Sequence, residues 1–183
     1  MKKLLLGLAV CILGITGAYD AAHALNPYTV MREAKSGLAS SQFLLGLLYT
    51  TGAESEVIAP DPHKAREWYE KAALQGHTVA QLALASIYEQ GHYVERDVDK
   101  AKMWYEKAAL QGVAPAQVRM GEFYERGLGV EQDFAKAMEW YKLAVLQNNA
   151  EAKSKLEALQ KKMAMEQVTQ PKASAPLFKD DEK

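Results

Sequence analysis

One cysteine stands in 183 residues, and it is Cys11, inside the apolar stretch that opens the chain. Everything after it is free of thiols, so no disulfide framework and no thiolate metal site can be built there. Stability must come from packing alone. Charge of one sign is scarce as well: 22 basic and 23 acidic residues leave a net charge of −1, with no basic block. Such a surface carries no electrostatic footprint for nucleic acid or anionic membrane. Histidine is rare too. After residue 24 only His63, His77 and His92 remain, each at a turn or helix start and none spaced to put two metal ligands on one face. They read as solvated turn residues. Phosphate-cradling glycine loops and paired catalytic carboxylates are also missing, and acids such as Glu67, four residues before Lys71, read as helix ion pairs.

What is present begins with Met1-Lys2-Lys3, an uncharged stretch from Leu4 to Tyr19, and Ala22-His23-Ala24. That order is the pattern of a secretory signal peptide, with cleavage expected after Ala24. An uncleaved anchor is the competing reading, but Leu4 to Tyr19 falls short of the roughly 20 apolar residues a membrane span needs. A lipoprotein site at Cys11 is a third, weakened by Val10 standing where a small residue is wanted. Removing residues 1–24 takes two lysines and one aspartate, leaving a nearly neutral chain long enough for one domain.

The body of the chain repeats. Trp68-Tyr69, Trp104-Tyr105 and Trp140-Tyr141 recur every 36 residues, as do Asp61, Asp97 and Asp133, and Gly76, Gly112 and Asn148. Ala80-Gln81, Tyr88 and Gly91 recur as Ala116-Gln117, Tyr124 and Gly127. An earlier copy reads Ser41-Gln42, Tyr49, Gly52, and its loop to Asp61 is three residues longer than its counterparts. Each unit resolves into two helices. Asp61-Pro62 is an N-cap followed by proline at the first helical position, and Asp97 and Asp133 cap likewise. Ala65, Trp68, Tyr69, Ala72 and Ala73 then form one apolar face, closed by Gly76 in the left-handed conformation, with Gly112 and Asn148 in the same role. Ala80, Leu84, Ala85, Ile87 and Tyr88 line the inner side of the preceding helix. At helical spacing in all three units, the Trp-Tyr pairs read as core between neighbouring units and not as a ligand box.

Helix pairs this short cannot bury their apolar faces alone, so they must stack into an all-α solenoid of antiparallel pairs, about three full repeats between capping helices. Pro27 to Ser36 reads as a lone second helix at one end. Ala150 to Gln167 reads as the cap at the other, with Lys153, Lys155, Lys161 and Lys162 on its polar outer face. The domain then spans residues 25–167, and residues 168–183, with Pro171, Pro176 and a charged end, read as a tail unable to form a core.

The run Ala80-Gln81, Tyr88, Gly91, Asp97, Lys100-Ala101, Trp104-Tyr105, Lys107-Ala108-Ala109, Gln111-Gly112 resembles the Sel-one-like repeat family, relatives of the tetratricopeptide repeats, over residues 27–166. The resemblance implies a right-handed superhelix used as an adaptor or scaffold, often in the bacterial periplasm or outside the cell. A branch with paired cysteines in each repeat differs from this chain, which has none there.

Function is then sought where the repeats differ. In the first helices, aligned positions read Leu44, Ala83, Arg119, then Leu47, Ser86, Glu122, then Thr51, Gln90, Arg126. Offsets of three and four put them on one face, which in this architecture lines the concave side. The expected groove is apolar at Leu44 and Leu47, passes through Ala83, Ser86 and Gln90, and is charged at Arg119, Glu122 and Arg126. The competing reading covers Leu44 and Leu47 with the N-terminal helix and leaves the charges as solvated surface. The expected role is an exported adaptor holding a protein or extended peptide of the envelope, with no cofactor, metal or chemistry of its own. An inhibitor or immunity-type protein against a secreted toxin or cell-wall enzyme is the alternative, and a cell-wall enzyme the third. The long loop with Glu54, Glu56, Val57 and Ile58 is a second contact candidate.

Overall fold

The computed structural model describes residues 26–52 and 57–169. The expected cleavage site, Glu54 and Glu56 of the long loop, and the tail from residue 170 lie outside them. Eight helices and no strand occur among the described residues. They are α1 (Pro27–Ser36), α2 (Ala39–Thr51), α3 (Pro62–Leu74), α4 (Thr78–Gln90), α5 (Val98–Leu110), α6 (Ala114–Arg126), α7 (Phe134–Val145) and α8 (Ala150–Thr169). Each helix packs on the one before and the one after it, which is the connectivity of a solenoid. The last helix runs two residues beyond the expected Gln167.

Local chemistry sets the boundaries. Asp61, Asp97 and Asp133 each accept the backbone N–H three residues on, at 2.9 to 3.1 Å, and each also pairs with the lysine there. Those N–H donors and lysines hold all three carboxyls below the usual range. At the other end Gly76, Gly112 and Asn148 adopt φ of 87°, 85° and 60°, the left-handed turn expected of them.

Two devices join the units. Gln42, Gln81 and Gln117, all buried, donate from Nε2 to the carbonyls of Ala34, Ala73 and Ala109 at the end of the preceding second helix. A carbonyl can only accept, so the amide oxygen is left facing the other way, where Gln75, Gln111 and Gln147 donate to it at 2.7 to 2.8 Å. The second device is tyrosine. Tyr69, Tyr105 and Tyr141 are buried, with alanines on neighbouring helices allowing close approach. Of their tryptophan neighbours only Trp104 is buried; Trp68 and Trp140 are half-exposed. Lys71 and Lys107 lie over the Trp68 and Trp104 rings, 3.9 and 4.5 Å from their centres.

Two readings of single residues need correction. His77 is no free turn residue: its Nδ1 caps α4 by accepting Ala80 N–H, and its ring stacks on Phe43 at 4.8 Å. Lys155 does not lie on an outer face but reaches back to Glu122 at 2.5 Å.

Candidate partner-binding face

The first helices α2, α4, α6 and α8 lie in series, and the tyrosine hydroxyls of the second helices point to them. Tyr105 donates to Glu89 at 2.9 Å and Tyr141 to Glu125 at 2.6 Å. Aligned with these two acids, in the first repeat, is Thr50, whose hydroxyl lies 2.9 Å from Tyr69 Oη. Since Thr50 gives its own proton to the Gly46 carbonyl, it accepts the one from Tyr69. Burial, and then the neighbouring carboxylate, push the Tyr105 and Tyr141 hydroxyls well above the ordinary phenol range, so they stay neutral donors.

Around Glu89 the face is charged and self-satisfied. Arg119 bonds Glu89 on the neighbouring helix and Glu122 on its own, and its guanidinium lies 5.7 Å from the centre of the Tyr105 ring. Glu122 in turn takes Lys155 of α8. The pairing runs Tyr105, Glu89, Arg119, Glu122, Lys155 across three first helices. Burial pushes Glu89 up, but the bonds from Arg119 and Tyr105 outweigh it and hold the carboxyl below the usual range. The bond to Glu89 likewise keeps Arg119 charged.

One repeat earlier the same face is neutral and open. A cavity of about 260 Å³ is lined by Thr50, Pro62, Ala65, Tyr69, Ala83, Ser86, Ile87, His92 and Tyr93. Ala83 and Ser86 occupy the positions that hold Arg119 and Glu122 in the next unit, and they are too short to fill the space. Gln90 is exposed and donates to Ser86 Oγ at 3.1 Å. Tyr93, 69% exposed, adopts φ of 61°, left-handed for a residue with a bulky side chain; its counterpart one repeat later is Gly129, at 62°.

The expected site residues are thus distributed unevenly. Ala83 and Ser86 line the cavity, Gln90 stands at its edge, Arg119 and Glu122 form the ion-pair run, and Arg126 is exposed at the end of α6. Leu44 is different. It is buried in a cluster with Val30 and Ala34 of α1, with Leu47 half-buried beside it. The N-terminal helix covers this end of the face, as the competing reading had it, because α1 needs an apolar partner for its own buried side. Ile58 of the long loop is buried in the same cluster and Val57 is exposed.

The model of the Sel1 repeat matches residues 39–77, 78–113 and 114–149. The chain belongs to the Sel1-repeat family. Among solved structures, a Sel1 repeat protein from Oxalobacter formigenes is 36% identical, with a TM-score of 0.66 over 70% of this chain and 95% of that one. A protective antigen of uropathogenic Escherichia coli with the same repeat fold is also 36% identical, with a TM-score of 0.65; the match covers 69% of this chain and 27% of the antigen. Cysteine rich protein B of Helicobacter pylori, 18% identical with a TM-score of 0.56, shares the fold over 70% of this chain and 93% of its own. No curated protein sequence matches the chain.

A Sel1-repeat stack is a helical-repeat scaffold for protein interactions, and no described helix is long and apolar enough to cross a membrane. The cavity residues Thr50, Tyr69, His92 and Tyr93 escaped sequence reasoning. One signal for them existed: Tyr93 replaces a glycine at the repeat interval.

Proposed function

We propose that the protein is an exported adaptor that holds a segment of an envelope protein along the face of α2, α4 and α6, and carries out no chemistry itself. The observation that supports this reading is the open cavity at Ala83 and Ser86 beside the charged run through Arg119 and Glu122, on one face built from the positions where the repeats differ. A binding surface can vary there, because the glutamines and tyrosines join every unit whatever residues stand at these positions. Export rests on the order of residues 1–24.

Site-specific photo-crosslinking tests the face. A photoreactive residue at Gln90 or Arg126, both exposed on first helices, is expected to form adducts with one envelope protein. The same group at Glu67 or Glu106, exposed on second helices, should not. Equal adducts from both faces, or adducts from Glu67 and Glu106 alone, would remove the first-helix face from consideration. Export is checked by the mass of the protein recovered from the periplasm, expected to begin at Leu25. A protein that keeps Met1 and remains in the cytoplasm contradicts it.

A further inference from the structure

Three notches follow one another between successive first helices, each roofed by a tyrosine of the second helix. In two of them a cation of this chain reaches across: Arg119 over Tyr105, bonded to Glu89 and Glu122, and then Lys155, bonded to Glu122. At the corresponding place over Tyr69 stands Ala83, and the acids that hold Arg119 are replaced by Thr50 and Ser86. No described residue therefore fills the notch, and its lining holds no acid to bind a partner's cation. The Thr50, Tyr69 and Ser86 hydroxyls are engaged, Thr50 with Gly46 and Tyr69 and Ser86 with Gln90, so apart from the His92 imidazole and the Tyr93 hydroxyl the surface left to an occupant is chiefly apolar: Ala65, Ala83, Ile87, Pro62 and the Tyr93 ring. The volume of about 260 Å³ is below the roughly 300 Å³ at which drug-sized sites begin, and suits one large side chain.

Tyr93 is a second, independent observation. A bulky residue in the left-handed region is strained, and the repeat places glycine there one unit later. The strain brings an exposed aromatic ring to the mouth of the notch across which, among the described residues, no cation reaches.

We infer that the notch over Tyr69 is an anchor pocket for a single bulky apolar side chain, aromatic or branched aliphatic, presented by the bound partner segment. The inference rests on the partner-binding reading and names the chemistry of its contact. Ala83→Arg fills the notch as Arg119 fills the next, and Tyr93→Gly removes the wall while relieving the backbone.

The probes are N-acetyl-phenylalaninamide, N-acetyl-leucinamide and N-acetyl-argininamide, titrated into the nitrogen-15-labelled protein. The apolar probes should give saturable shifts at the Ala83, Ser86 and Tyr93 amides, with Kd of about a millimolar. The arginine probe should give none. Ala83→Arg should abolish binding with helicity unchanged, and Tyr93→Gly should weaken it several-fold without lowering the melting midpoint. No saturable shift with either apolar probe, tighter binding of the arginine probe, or wild-type affinity in Ala83→Arg overturns the inference. Photo-adducts that form equally in wild type and Ala83→Arg, with no probe binding, sink the pocket and leave the adaptor reading standing. Probe binding without any adduct from Gln90 or Arg126 sinks the adaptor reading and leaves the pocket.

Discussion

Single residues carry some of the sharpest consequences. Gly46 and Gly121 lie under the rings of Tyr69 and Tyr141, and a Cβ on Gly46 would come within 2.7 Å of the Tyr69 ring. The aligned residue of the middle repeat is Ala85, buried in the same core cluster as Tyr105. Alanine raises helix propensity over glycine by about 1 kcal/mol, while overpacking costs roughly 1–3. Because Tyr141 is 0% exposed and tethered to Glu125, the ring has nowhere to go, and the packing cost should win. Gly121→Ala is expected to lower the thermal midpoint, measured by circular dichroism; a rise would mean the ring can move. His77 offers a pH test. Its imidazole is held below the ordinary 6.5 by desolvation, so the folded state takes up its proton less readily than the unfolded one. The stability it lends is present above the ordinary value and is lost as pH falls through the depressed one. His77→Asn keeps a cap and removes the titration, so its midpoint should fall less than that of wild type between pH 7 and pH 5.

Elements were legible wherever a local rule governs them. Asp61 with Pro62 and the glycines at 76 and 112 announce helix ends through backbone chemistry that needs no distant partner. What depended on another helix was not legible. Whether Leu44 or Leu47 faces solvent is decided by α1, and the cap formed by His77 Nδ1 has no marker among the usual capping residues. The Glu89 and Glu125 acceptors sit at a register with Tyr105 and Tyr141 that only the packed pair reveals. Between elements, the glutamines make a strong prediction. Gln81→Leu removes two hydrogen bonds, leaving the Ala73 carbonyl only Gly76 N–H and the Gln111 amide only the Lys107 carbonyl, at about 0.5–1.5 kcal/mol for each bond lost. Urea unfolding should show a loss of that order, far more than for Gln90→Leu on the surface.

At the scale of the whole molecule, acid should loosen the ion-pair run. Glu89 is held below its ordinary 4.5, so its contribution is complete above that value and disappears as pH falls through the lower, folded one. Arg119→Met should therefore be less stable than wild type at pH 7, with a deficit that shrinks as pH is lowered below 4.5. A deficit that does not shrink in acid would assign the role of Arg119 to packing over Tyr105 instead. Removal of α8 is a different kind of test. It takes away Ala152 and Leu159, which are buried with Val118 and Tyr141, so truncation after Asn149 should deprotect α7 in hydrogen exchange and leave α3 and α4 protected. Uniform loss of protection would show one cooperative body in place of a stack of units.

The glutamine bonds also have a direction. Each amide offers its hydrogens toward the start of the chain and its oxygen toward the end, so the ladder reads one way like the links of a polar filament. A unit can join only head to tail, since a reversed one would set donor against donor. Copying residues 78–113 in register would add a rung with both hands already matched, so the length of this molecule can grow by whole units without new chemistry at the joins.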